Sequence, residues 1–158
     1  MSRRAAVLAV LVVLAGAALT SCASSWDQSV ARATQRDQPL VVEFYASWCK
    51  PCRRFEQVLG DPEVVAALQG ITFERYDFDS SEGQFHARRL GVRGVPTVLA
   101  VGRDGVPIGG LKGASDKPTF LDFLSWTRAR WQADVAPGAA PGAAADAQGP
   151  DGSPGRSR

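Results

Sequence analysis

Metal ligands are scarce in this sequence. Its 158 residues hold one histidine, His86, and three cysteines, Cys22, Cys49 and Cys52. A tetrahedral zinc site takes four nitrogen or sulfur ligands. His86 with Cys49 and Cys52 supplies three, so no metal site within the chain is expected, and no cofactor. Charge of one sign is lacking as well. Eighteen Lys and Arg stand against 16 Asp and Glu, a formal net charge of +2, and the cations are scattered. Nucleic-acid binding is left without its electrostatic footprint. There is one long apolar run, Ala5 to Leu19, shorter than the roughly twenty residues that span a bilayer. From Ala133 onward large apolar side chains give way to Ala, Pro and Gly. Such a stretch buries too little to offset its ordering entropy, so residues 133–158 are expected to form a disordered tail. The 45% hydrophobic content suffices for one core, which at this length means one domain with appendages.

Against these absences stands Trp48-Cys49-Lys50-Pro51-Cys52. The apolar run Leu40 to Ala46 before it reads as a buried strand, and Arg53 to Leu59 after it reads as helix. A Cys-x-x-Cys pair at such a junction can close into a small disulfide ring and reopen. It also sets the first sulfur at a helix N-terminus, where unpaired N–H groups favour a thiolate. A purely structural disulfide is the competing reading, but so small a loop constrains little of the unfolded chain. Glu43 lies in the middle of the strand. A carboxylate there is costly unless it has a partner or a chemical task; the alternative is an edge position that points it to solvent.

The segment Val42-Glu43-Phe44-Tyr45-Ala46-Ser47-Trp48-Cys49-Lys50-Pro51-Cys52 resembles the active-site segment of the thioredoxin family. Gly91-Val92-Arg93-Gly94-Val95-Pro96-Thr97 looks like the loop that carries the family's cis-proline. Gly113 matches a glycine that the family often has before its last helix. Asp61-Pro62-Glu63-Val64, together with Glu43, is similar to the C-terminal thioredoxin-like domain of the electron-transfer protein DsbD. The resemblance implies an α/β, thioredoxin-like fold: a central mixed β-sheet flanked by helices, over residues 37–132.

It also implies roles. Cys49 is the nucleophile and is expected to be the more exposed sulfur; Cys52 is the shielded, resolving thiol. Glu43 matches a buried acid that relays a proton as the resolving thiol is activated. A cis Pro96 would expose the backbone of Val95 for pairing with an extended client segment, and a trans proline at a strand start is the plain alternative. Trp48 shapes the docking surface or packs as a core aromatic. Gly113 admits a client backbone or serves a turn. Lys50 and Pro51 tune the pair. Tyr45 is expected to pack, Arg53 and Arg54 to lie on the surface, and His86 to be solvated.

The N-terminus carries a second resemblance. Arg3-Arg4 and the run to Leu19 form a signal-peptide pattern over residues 1–21. Leu19-Thr20-Ser21-Cys22 resembles the lipobox of bacterial lipoproteins, which implies lipidation of Cys22 and stable anchoring by several acyl chains. A plain signal peptide remains open, as does twin-arginine export. Residues 22–36 then read as the lipidated cysteine, a tether and an N-terminal helix from Trp26.

Within the domain the punctuation is local. Asp61 reads as an N-cap with Pro62 at the first helical position, ahead of an apolar stripe of Val64, Val65 and Leu68. Ile71 to Phe78 alternates as a strand does. Ser81 to Leu90 reads as a helix closed by Gly91. Gly102-Arg103-Asp104-Gly105 reads as a hairpin turn, and Pro107 marks an edge strand. Lys117 to Trp131 reads as the last helix. The expected function is an extracytoplasmic, membrane-anchored thiol–disulfide oxidoreductase, a reductase of protein disulfides. Its expected partners are client proteins and a membrane thiol electron donor of the DsbD or CcdA kind, on the periplasmic or outer cell-surface side of a bacterial membrane. The alternatives are an oxidase or isomerase, and a non-catalytic module that binds clients or copper.

Overall fold

One strand is buried along nearly all its length and everything else is arranged on it. The computed structural model describes residues 25–134, so the expected signal peptide, Cys22 and residues 135–158 lie outside the described residues. The elements run α1 (Ser25–Gln35), β1 (Leu40–Tyr45), α2 (Lys50–Leu59), α3 (Pro62–Ala67), β2 (Thr72–Asp77), α4 (Ser81–Arg89), β3 (Thr97–Val101), β4 (Pro107–Lys112) and α5 (Lys117–Ala133). The sheet order is β2-β1-β3-β4. β1 pairs parallel with β2 and antiparallel with β3, and β3 pairs antiparallel with β4, so the sheet is mixed. β4 is an edge strand, as Pro107 requires.

Strand alternation sorts the core into two layers. Leu40, Val42 and Phe44 join Trp26 and Ala33 of α1, Tyr76 of β2 and Ala87 of α4. Val41 joins Phe55 of α2, Val64 of α3 and Phe120, Phe123 and Leu124 of α5. The helix read as lying ahead of residue 37 is therefore part of the same core as β1. The N-caps of α3, α4 and α5 are side-chain acceptors, as expected of Asp and Ser: Asp61 accepts from the Glu63 N–H, Ser80 from the Gly83 N–H and Asp116 from the Thr119 N–H. Gly83 is fixed by space. A Cβ there would sit 1.8 Å from the Asp77 carbonyl oxygen, so α4 can approach the end of β2 only with glycine.

Two sequence expectations need correction. Val65 is exposed, and the buried member of the α3 stripe is Val64; six helical residues leave room for little more than one inward position. His86 is not solvated: it is 2% exposed. It lies on the inward face of α4 with Gly83 and Ala87, and its ring packs against Tyr76, Trp26 and Phe85. Burial holds its pKa below the ordinary histidine value, with Glu82 acting in the opposite direction.

Because Trp26 is buried in the layer that contains β1, Trp26→Ala should cost about 3–5 kcal/mol. Urea unfolding of the two chains measures this; a cost under about 1 kcal/mol would place α1 outside the cooperative unit.

Candidate active site

The sulfur pair is built by a sharp change of structure. β1 ends at Tyr45, three residues turn, and Cys49 becomes the N-cap of α2, with Pro51 in the first turn. Cys49 has extended backbone angles, as an N-cap must. Its Sγ accepts the Cys52 backbone N–H at 3.1 Å. The two sulfurs are joined in a disulfide, with their Cα atoms 5.2 Å apart. A donor already aimed at Cys49 Sγ stabilises charge on that sulfur when the bond opens. Lys50 is exposed beside it and adds a positive field.

The expectation that Cys49 is the more open sulfur is not met in the closed pair: both cysteines are 2% exposed. Ala46, Tyr45, Phe78 and Val95 pack around the two residues, so the turn and the proline loop shield both. Trp48, by contrast, is 63% exposed. That excludes a core role. Its indole N–H donates to Asp79 at 2.6 Å, which holds the ring in place on the surface.

The proline loop adjoins the pair from the other side. The Val95–Pro96 peptide bond is cis. Thr97 donates its hydroxyl to the Gly94 carbonyl, and the Gly113 N–H donates to the Pro96 carbonyl at 2.8 Å. Gly113 has φ +82° and open space at its Cβ position, so the conformation rather than crowding asks for glycine. Val95 has no hydrogen-bond partner for its backbone N–H or carbonyl among the described residues. The expected site residues Trp48, Cys49, Cys52, Val95, Pro96 and Gly113 thus meet at one end of the sheet.

Glu43 is fully buried. Register explains its partner. Glu43 is paired with Arg75 across the parallel β1–β2 ladder, and residues so paired share a sheet face. Arg75 Nε donates to Glu43 Oε2 at 2.6 Å, and a second guanidinium nitrogen reaches Glu56 of α2 at 3.2 Å. The same guanidinium stacks on the Tyr45 ring at 4.3 Å. The second carboxylate oxygen, Oε1, is buried with no partner. Burial raises the proton affinity of Glu43 above the ordinary carboxylate range, and Arg75 only partly opposes this. The result is a buried acid with one oxygen held and one free.

Arg75 and Asp79 are absent from the sequence-derived site. Arg75 had a faint signal, a cation within an alternating strand, but its partner depends on register. No group of His, Cys, Asp and Glu able to hold a metal ion occurs among the described residues. No described helix is long and apolar enough to cross a membrane.

A sequence profile described as thioredoxin-like matches residues 20–102. The chain is 34% identical over 90 residues to a thioredoxin from Mycolicibacterium smegmatis, covering 56% of this chain and 77% of the relative. It is 32% identical over 112 residues to the thiol:disulfide interchange protein DsbD of Cronobacter sakazakii, covering 68% of this chain but only 20% of that much longer relative. Among solved structures, the C-terminal domain of Neisseria meningitidis DsbD in the oxidised form superimposes with a TM-score of 0.55 at 26% identity. That match covers 63% of this chain and 90% of that one.

The raised proton affinity of Glu43 has a stability signature. An acid whose native pKa lies above its unfolded value contributes fully below the unfolded value, about 4.3, and loses that contribution as pH rises through the native one. A glutamine side chain in its place cannot ionise, so the stability of Glu43→Gln relative to wild type should climb as pH rises above about 4 and through the raised native pKa. Urea midpoints at several pH values read this, and a flat difference would show that Glu43 titrates normally. Arg75→Met should cost about 1–3 kcal/mol at neutral pH. That is less than for a sealed ion pair, since the Arg75 side chain is 35% exposed; its loss should shrink in acid, where Glu43 is neutral.

Proposed function

This chain belongs to the thioredoxin-like family, and from that premise we propose that it is an extracytoplasmic thiol–disulfide oxidoreductase that reduces disulfides of client proteins. The observation that carries the reading is the Cys49–Cys52 disulfide capping α2, with the Cys52 N–H directed at Cys49 Sγ. Such a cap favours the thiolate that exchange requires. The flanking proline loop offers the unpaired backbone of Val95 to an extended segment, a strand-addition mode of docking.

In the reduced state the Cys49 thiolate attacks one sulfur of a client disulfide. The client S–S bond breaks, a Cys49–client bond forms, and the displaced client sulfur takes a proton. Cys52 then loses its proton to the buried Glu43 carboxylate, through water, and attacks Cys49. The Cys49–client bond breaks, the Cys49–Cys52 disulfide closes, and Glu43 returns its proton through water to the departing client sulfur. Two electrons have passed to the client, whose two sulfurs leave as thiols. Glu43 suits the relay because one carboxylate oxygen is free while Arg75 holds the other.

The reading includes an anchor at Cys22, an exported location, the tether and tail boundaries given above, and resupply of electrons by a membrane thiol donor of the DsbD or CcdA kind. The relatives named as thiol:disulfide interchange proteins support the exchange chemistry in this reading. Trp48, Val95, Pro96 and Gly113 form the client surface, with Lys50 and Pro51 setting the sulfur chemistry.

Insulin disulfide reduction by the wild-type chain should be abolished in Cys49→Ser, while Cys52→Ala should accumulate mixed disulfides through Cys49. Equilibration with glutathione should return a potential near thioredoxin's, roughly −270 mV; a value near −120 mV would make the protein an oxidant instead. Equal activity of wild type and Cys49→Ser would leave a binding module and overturn the reading.

A further inference from the structure

Beside the sulfur pair runs a groove of about 530 Å³. Its floor is apolar: Leu90, Val92, Val95 and Leu99 line it, and all four pack on the core layer that holds Phe44 and Tyr76. Its charged lining residues are Arg93 and Lys112, with no carboxylate among them. Both cations are exposed. Neither forms an ion pair among the described residues, whose salt bridges use Arg32, Arg75, Arg103, Lys117 and His86 instead.

The groove reaches the chemistry through Val95, which lines it and also packs against the cysteines. Of the acids near this end, Glu56 pairs with Arg75 and Glu43 is buried, while Asp79 is exposed and accepts from the Trp48 indole. The first turn and a half of α2 adds three exposed cations, Lys50, Arg53 and Arg54. A client segment that enters the groove therefore meets Arg93 and Lys112, with no carboxylate in the lining to offset them.

Resting on the exchange reading above, we propose that this groove selects client segments that carry Asp or Glu close to the reacting cysteine. An extended segment paired with the Val95 backbone presents alternate side chains to the groove, about 6.6–6.8 Å apart. Apolar ones cover the floor. Acidic ones meet Arg93 and Lys112, whereas lysine or arginine at the same places would be repelled. Selection of this kind works as much by rejection as by attraction.

The test uses the full chain and two fluorescent eight-residue peptides with serine in place of cysteine. They are identical except for Glu or Lys on either side of the serine, and anisotropy reads equilibrium binding. The Glu peptide should bind about fivefold tighter or more, on the scale of two exposed ion pairs. The gap should close at about 0.5 M salt, where screening reaches only a few Å. Arg93→Glu with Lys112→Glu should reverse the order, a gain for the Lys peptide that unfolding cannot mimic. Equal binding of both peptides, or an order that the double reversal leaves unchanged, overturns the proposal. A separate assay, reduction of neutral hydroxyethyl disulfide by the wild-type chain, reports on the exchange reading alone. Its failure with the peptide preference intact would sink the redox chemistry and leave the acidic selectivity standing.

Discussion

The site depends on one hydrogen bond in the first turn of one helix. The Cys52 N–H has no intrahelical carbonyl to bond, as is true of any residue so near a helix start, and it donates to Cys49 Sγ. That contact makes a cysteine serve where Asp, Ser or Thr usually would. It fixes where α2 begins, brings the second sulfur within bonding reach of the first, and gives the first sulfur a donor for any charge it acquires. β1 makes this possible by delivering the chain to the turn from a rigid, buried position. Pro51 helps by occupying a position in the first turn where a missing N–H costs nothing.

Beneath that cap the structure tolerates an expensive group. Glu43 occupies a strand position that would otherwise hold an aliphatic side chain, as Val41 does on the same face two residues earlier. Desolvation and the guanidinium of Arg75 pull its proton affinity in opposite directions, and desolvation prevails. The compensation is spread over a small network: Arg75 touches Glu43, Glu56 and the Tyr45 ring. This ties the buried acid to β2, to α2 and to the last residue of β1. A change in any of the three alters the setting of the carboxylate.

Much of the architecture was legible because its signals are local. The Asp61-Pro62 helix start, the Gly102 to Gly105 turn, the edge position of Pro107 and the strand–helix junction at Cys49 each follow from a few adjacent residues. Partners across the sheet were not legible. Arg75 becomes the neighbour of Glu43 only once β1 and β2 pair in one register, and no adjacent residue states that register. His86 was misread for a related reason. Its own helix looks polar, and the inward face consists of Gly83 and Ala87, small residues that carry a weak hydrophobic signal. What buries it includes Trp26, far earlier in the chain. The equal shielding of the two sulfurs likewise arises from Phe78 and Val95, which are distant in sequence and close in space.

The docking of α1 has a mechanical consequence. Trp26 is the second residue of the described fold and is wedged among side chains of β1 and β2. A force applied to α1 would pass at once into the interior, as shear between a helix and the sheet it covers.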